Sequence, residues 1–187
     1  MGLIAGKYSV TVFCGSSPGV DPAYAEAAKA LGEGLAAGSM NLVFGGGNVG
    51  LMGITAGAAL HAGAHVTGII PDFLRQREVE FPGLSELIVT DSMHTRKRRL
   101  FALGDAFVVM PGGLGTFDET FEIMTWKQLG RHNKPIILCD VLGWAQPFVT
   151  MIEQTVGRGF ARESALELFE VQPDVPATLA RLNTLRG

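Results

Sequence analysis

Glu119 and Arg96 are the two side chains of this sequence best placed to do chemistry. Glu119 lies in Asp105 to Glu122, DAFVVMPGGLGTFDETFE. In that stretch an apolar run, Ala106 to Met110, reads as a buried parallel strand stopped by Pro111. Gly112, Gly113 and Gly115 then form a turn before a helix that begins near Thr116. Such a turn aims unpaired backbone N–H groups and the positive end of a helix dipole at one spot, which suits a phosphate. Gly112, Gly113, Leu114, Gly115 and Thr116 are therefore candidate phosphate-binding residues, with Glu119 an acid one turn further on. A plainer reading stands beside this one, because Thr116-x-x-Glu119 is also the capping-box pattern that merely satisfies helix N–H donors. Locally the two readings are balanced.

Two further small-residue turns shift that balance. Gly15-Ser16-Ser17 follows an apolar stretch, Tyr8 to Cys14, and Gly45-Gly46-Gly47 follows Asn41 to Phe44. In an open parallel sheet, turns after strands lie along one edge and converge on one crevice, so Ser17, Gly45 and Gly46 join the candidate ligand-binding set. The competing explanation is that a glycine-rich α/β protein simply has glycine-rich turns. Gly45, Gly47 and Gly50 also match G-x-G-x-x-G, with Asp72 roughly 20 residues beyond, so binding of a nicotinamide dinucleotide is a minor alternative. No Walker A loop occurs. His61, His65, His94 and His132 show no metal-ligand spacing, and no metal or cofactor is expected.

Arg96 and Lys97 lie in Met93-His94-Thr95-Arg96-Lys97, on a helix capped by Ser92 between two of the predicted site elements. They can face the crevice together with Met93. Arg98 and Arg99 point about 100° and 200° further round the helix, so the four cations cannot share one site. A solvated basic face is the ordinary explanation for such a run.

The elements that must position these residues alternate along the chain. Strands are expected at 8–14, 41–44, 64–70, 87–90, 106–110 and 135–139. Helices are expected from Asp21-Pro22 to about Ala37, from Ile54 to Ala62, after Ser92, from Thr116, from about Trp144 to Val156, and after Pro173. Asp72 to Gly83 reads as an excursion over one edge of the site. The pattern predicts one α/β domain over residues 1–187, a Rossmann-like, doubly wound parallel sheet with helices on both faces and ligands at the C-terminal ends of the strands.

Bulk properties narrow the function. A chain of 187 residues is long enough to bury about 70% of its unfolded surface as one domain. A hydrophobic content of 47%, 25 glycines and 18% charged residues describe a compact protein with many tight turns. A net charge of −3 argues against general nucleic-acid binding. Cys14 and Cys139 belong to no metal or redox motif and read as buried thiols in a reducing compartment. No apolar run is long enough to span a membrane, and MGLIAGKYS lacks the features of a signal peptide, so the expected location is the cytoplasm.

The combination GGGNVGLMG (Gly45 to Gly53), MHTRK (Met93 to Lys97), PGGLGTFDE (Pro111 to Glu119) and TWKQLGRHNKP (Thr125 to Pro135) resembles the LOG (Lonely Guy) family, long mislabelled as lysine decarboxylases. The resemblance extends from CGSS to about Phe160. It implies a homodimeric Rossmann-like enzyme that hydrolyses the N-glycosidic bond of nucleoside 5′-monophosphates, releasing an adenine-type base, N6-prenylated cytokinins included, and ribose 5-phosphate. It also implies catalytic roles for Arg96 and Glu119, and phosphate binding by Gly112, Gly113, Gly115 and Thr116. The chemistry agrees, since breaking that bond builds positive charge on the ribose, which a carboxylate near C1′ stabilises. Asp118 stands at a variable position of the family pattern and carries no expected role. Lysine decarboxylation would need a Schiff-base lysine holding pyridoxal phosphate, and no lysine has a convincing setting for one. A non-catalytic carrier of a nucleotide or phosphorylated cofactor remains a second class that would use the same crevice.

Overall fold

The structure, a computed structural model, describes residues 7–75 and 80–187. The N-terminal stretch before Lys7, and Gln76 to Val79 of the expected excursion, lie outside the described residues. The chain runs β1 (Ser9–Phe13), α1 (Pro22–Ala37), β2 (Asn41–Phe44), α2 (Gly50–His61), β3 (Val66–Pro71), β4 (Glu86–Thr90), α3 (Met93–Leu103), β5 (Ala106–Val109), α4 (Leu114–Gln128), β6 (Ile136–Cys139), α5 (Gln146–Gly157), β7 (Glu170–Gln172) and α6 (Val175–Arg186).

Among the described residues, seven strands form one parallel sheet in the order β4-β3-β2-β1-β5-β6-β7. Central β1 pairs on both sides, Thr11 lying beside Val43 of β2 and Phe107 of β5. The chain steps outward from β1 to β4, then α3 carries it back to β5. The strand order therefore reverses between β1 and β5, where an open parallel sheet leaves a crevice beyond its strand ends. β1, β2, β5 and β6 are buried along their whole length because helices cover both faces. Alternate residues feed opposite layers: Val10 and Val12 pack with Leu31 and Leu35 of α1, whereas Phe13 and Phe107 pack with Leu100 of α3 and Ile123 of α4. Among the described residues, no helix is long and apolar enough to cross a membrane.

Local chemistry explains the helix starts. Asp21 Oδ1 accepts the Ala23 N–H at 2.9 Å with Pro22 in the first turn, Ser92 Oγ accepts the Thr95 N–H at 3.2 Å, and Asp174 Oδ1 accepts the Ala177 N–H at 2.8 Å. Helices α2 and α4 have no side-chain cap, and both begin earlier than expected, at Gly50 rather than Ile54 and at Leu114 rather than near Thr116. Their glycine turns enter the helix directly. Strand β7 was not expected, since it has three residues and no apolar run. It forms because Glu170 is gripped by Arg181 of α6, with Nε and Nη2 at 2.6 and 2.7 Å from its two oxygens, while its backbone pairs with β6.

The connection from α4 to β6 is locked by His132. Its Nε2–H donates to the Ile123 carbonyl at 2.8 Å, its Nδ1 accepts the Lys134 N–H at 3.1 Å, and its ring meets Phe101 and Phe107 edge-on. This arrangement uses the neutral imidazole. Burial, opposed by the Ile123 hydrogen bond and reinforced by Lys127 and Lys134, holds the His132 pKa below its ordinary value. The unfolded chain then binds the proton more readily, so the stabilisation is present above an unfolded value of about 6.5 and is lost as pH falls below it. The thermal midpoint of the parent should accordingly fall more steeply between pH 7 and pH 5 than that of His132→Gln. Parallel slopes would show that His132 does not supply this sensitivity.

Candidate active site

The three glycine turns are one object. The Gly15 N–H donates to the Pro111 carbonyl at 2.9 Å, and the Gly15 carbonyl accepts from Leu51 and Met52 at 3.0 and 3.4 Å. Turn β1–α1 is thus bonded to both of the others. A Cβ at Gly112 would strike the Thr116 side chain and the Gly15 nitrogen, and one at Gly50, where φ is +54°, would strike the Ser16–Ser17 backbone. Glycine is a steric requirement at both positions. The close docking also decides the dinucleotide question. The first N–H groups of α2 already serve Gly15, so the seat that a pyrophosphate would need there is filled by protein. Asp72, the supposed ribose acid, is exposed and 3.4 Å from Arg75.

Helix α4 offers the opposite arrangement. Gly113 precedes it without a side-chain cap, and Phe117 is the first residue whose N–H is taken, by the Gly113 carbonyl at 3.1 Å. Among the described residues, no protein acceptor is recorded for the N–H groups of Leu114, Gly115 and Thr116, which leaves them for an anion. Thr116 is the third helical residue, 3% exposed, with its hydroxyl against Gly112. It does not cap the helix, so the capping-box reading of Thr116 and Glu119 fails. A cavity of about 330 Å³ opens beside this helix start, between Ser17, Tyr24, Leu51, Gly113 and Trp144. Trp144 also stacks on Phe117 at 5.4 Å, and Phe117 stacks on Phe148 at 6.0 Å, which fixes the first turn of α4.

On the other side of the turn, Arg96 is only 5% exposed. Its Nε donates to the Ile69 carbonyl at 3.1 Å, its Nη2 to the Gly45 carbonyl at 2.8 Å, and Met93 Sδ lies 3.9 Å from its Nη1. A side chain at Gly45 would displace the guanidinium, and Gly46 takes φ +80° against Ile69 and Ile70. The second glycine turn therefore holds a cation in place. Glu119 is half-buried, near enough to Cys14 and Lys97 for both to feel its charge. Burial first, and the Glu119 charge second, push the Cys14 thiol far above its ordinary pKa, so it stays protonated.

The remaining predicted residues separate. Ser17 is exposed at the cavity and its Oγ accepts the Gly19 N–H at 3.4 Å. Lys97 is drawn to α4, with Nζ 2.6 Å from Asp118 and 3.6 Å from Glu122. Arg98 and Arg99 face outward, into a separate cavity of about 940 Å³ on the outer side of α3 and α4. Residues to which the sequence reading gave no role in the site are Tyr24, Trp144, Phe117 and Asp118. Their relevance depends on packing between distant elements, and no short motif marks it. Among the described residues, no three His, Cys, Asp or Glu side chains converge as a metal ion would require.

Comparison with known proteins identifies relatives of the chain. The family model described as "Possible lysine decarboxylase" matches residues 52–182. The chain is 41% identical to the cytokinin riboside 5′-monophosphate phosphoribohydrolase of Rhodococcoides fascians, over 94% of this chain and 89% of that one. It is also 41% identical to cytokinin riboside 5′-monophosphate phosphoribohydrolase LOG2 of Arabidopsis thaliana, over 92% and 81%. Among solved structures it resembles the molybdenum cofactor binding protein of Rippkaea orientalis, with TM-score 0.73, 19% identity and coverage of 98% and 99%. It likewise resembles the molybdenum cofactor carrier protein of Chlamydomonas reinhardtii, with TM-score 0.74, 20% identity and coverage of 96% and 98%. At these identities the two structures establish the shared fold alone.

The interlock of the turns is open to a direct test. Gly50→Ala combines a left-handed φ with a backbone collision and should destabilise the protein by roughly 2 kcal/mol or more in urea unfolding. Gly113→Ala, where a Cβ meets nothing within 4 Å, should change stability by less than about 0.5 kcal/mol. Equal effects would show that the turns are not pressed together as described.

Proposed function

The chain belongs to the LOG family, and on that premise we propose that it is a phosphoribohydrolase cleaving the N-glycosidic bond of adenosine 5′-monophosphates, N6-prenylated ones included, to free base and ribose 5-phosphate. One observation carries the reading at the level of chemistry. The uncapped start of α4 presents donors for a phosphate one turn before a carboxylate, with a buried, carbonyl-anchored arginine on the neighbouring helix.

In this reading the 5′-phosphate sits on the N–H groups of Gly113 to Thr116, bordered by Gly112 and Ser17, and its charge is met by the α4 dipole. Anchoring the phosphate there places the ribose toward Glu119. As the bond from C1′ to the base breaks, its electron pair leaves with the base and positive charge builds on C1′ and the ring oxygen. The Glu119 carboxylate stabilises that charge or holds a ribose hydroxyl, and water adds its hydroxyl to C1′ while its proton ends on the base. Arg96 supplies a fixed positive charge to an anionic substrate, held by Gly45 and Ile69, and Gly46 and Met93 pack around it. The older decarboxylase description finds no support in Lys97, the lysine beside the site, because two carboxylates hold it.

The enzyme is proposed to act as a cytoplasmic homodimer. Both cysteines are buried and free, in keeping with a reducing compartment. The outer side of α3 and α4 carries basic Arg98, Arg99 and Arg131 around Trp126, while exposed Asp91 and Asp118 belong to the N-terminal ends of the same helices. A twofold axis can set the basic region of one copy against the acidic region of the other. Light scattering after size exclusion should then report twice 19.8 kDa for the parent and a monomer for Arg98→Glu with Arg131→Glu. A monomeric parent would remove the proposed assembly.

Activity is tested by incubating purified protein with AMP and with N6-isopentenyl-AMP and separating the products by chromatography. The parent should release base and ribose 5-phosphate. Glu119→Gln should keep AMP affinity within about threefold and lose at least about 10³ in kcat, and Arg96→Ala should abolish turnover. AMP binding by the parent without release of base would favour a nucleotide carrier.

A further inference from the structure

Lys97 occupies an unusual position for a cation beside an anion-binding turn. It follows Arg96 on α3, is 17% exposed, and reaches across to α4, where Asp118 and Glu122 stand one helical turn apart. The Nζ to Asp118 Oδ2 distance of 2.6 Å is that of a charge-assisted hydrogen bond, and Glu122 Oε2 completes a bridge over one turn at 3.6 Å. One turn further along both helices, Phe101 meets Trp126 edge-on at 4.9 Å. Positions 97 and 101 of α3 therefore face positions 118, 122 and 126 of α4 as a ladder of one ionic and one aromatic rung. Glu119 is the neighbour of Asp118, and Arg96 the neighbour of Lys97. The ionic rung lies at the level of the proposed catalytic pair.

The two helices also meet through the Phe101–Trp126 contact and the packing of Leu100 with Ile123. Arg96 ties α3 to the carbonyls of Ile69 and Gly45, whereas the first turn of α4 is set by the Phe117, Trp144 and Phe148 stack. Something must fix their relative register if the arginine and the carboxylate are to act on one substrate, because sub-ångström placement controls the rate of a positioned reaction. We propose that Lys97 is a positioning residue, not a phosphate ligand, and that its bridge to Asp118 and Glu122 sets the register of α4 on α3 for the phosphoribohydrolase reaction, on which reading this role rests. The direction of its pKa agrees: burial alone would lower it, and the Asp118 hydrogen bond with the charges of Glu122, Asp118 and Glu119 raises it overall. Lys97 remains a cation committed to α4.

The test separates positioning from substrate binding by exchanging the charges. Steady-state kinetics with AMP are measured for the parent, Lys97→Met, Lys97→Arg, Asp118→Asn, and the exchange Lys97→Asp with Asp118→Lys, with thermal midpoints recorded for each. Lys97→Met should lower kcat about tenfold with KM changed by less than about twofold, and Asp118→Asn should shift kcat in the same direction by less. Lys97→Arg should keep most of the turnover, and the exchange should recover most of the kcat lost. A KM raised about tenfold in Lys97→Met, with no recovery in the exchange, would make Lys97 a substrate ligand and overturn the inference. An unchanged kcat in Lys97→Met would overturn it too. A parent that releases no base refutes the hydrolase reading itself, and this role with it; a fully active parent with unresponsive variants refutes the positioning role alone.

Discussion

One residue, Gly15, holds the crevice end of this fold together. Gly15 donates to Pro111 and accepts from Leu51 and Met52, so the turns after β1, β2 and β5 are fastened at one residue above the point where the strand order reverses. The fastening requires backbones to approach more closely than a Cβ would allow, which is why glycines at 50 and 112 leave no alternative. It also divides labour between two helix starts. The α2 dipole is consumed inside the protein, and the α4 dipole remains directed outward. A glycine-rich α/β edge would otherwise present several equivalent anion seats, and here docking leaves one of them open.

Arg96 shows how an expensive group is kept. A guanidinium almost wholly out of water loses hydration that must be replaced. Carbonyls of Ile69 in β3 and of Gly45 just after β2 supply part of that replacement. The guanidinium is thereby immobilised against the sheet. Glu119 has a different foundation, since it rides on a helix turn clamped by aromatic stacking. The cationic and the anionic side chain thus ride on two neighbouring helices, α3 and α4.

Much of the architecture was legible in advance. The alternation of apolar runs with capped helices at Asp21-Pro22 and Ser92 implied a doubly wound parallel sheet, and the three small-residue turns do share one edge. The starts of α2 and α4 were read several residues late, because glycine's low helix propensity hides a helix whose first turn is stabilised by docking. Strand β7 escaped for a related reason: Glu170 and Gln172 are polar, and the Arg181 ion pair that stabilises the strand comes from α6. Thr116 matched a capping box in spacing, yet spacing carries no information about which residue starts the helix.

By itself, the sequence determined the order of the elements other than β7, the placement of the glycine turns and the candidacy of Arg96 and Glu119, since periodicity and turn chemistry are properties of a few adjacent residues. The tertiary structure alone decided which helix start remains open, that Arg96 rests on carbonyls from β3 and from the turn after β2, and that Lys97 belongs to Asp118 and Glu122. These outcomes are choices among partners separated by tens of residues. They are settled by which backbones can touch and which charges are left facing one another once the sheet has closed the distance.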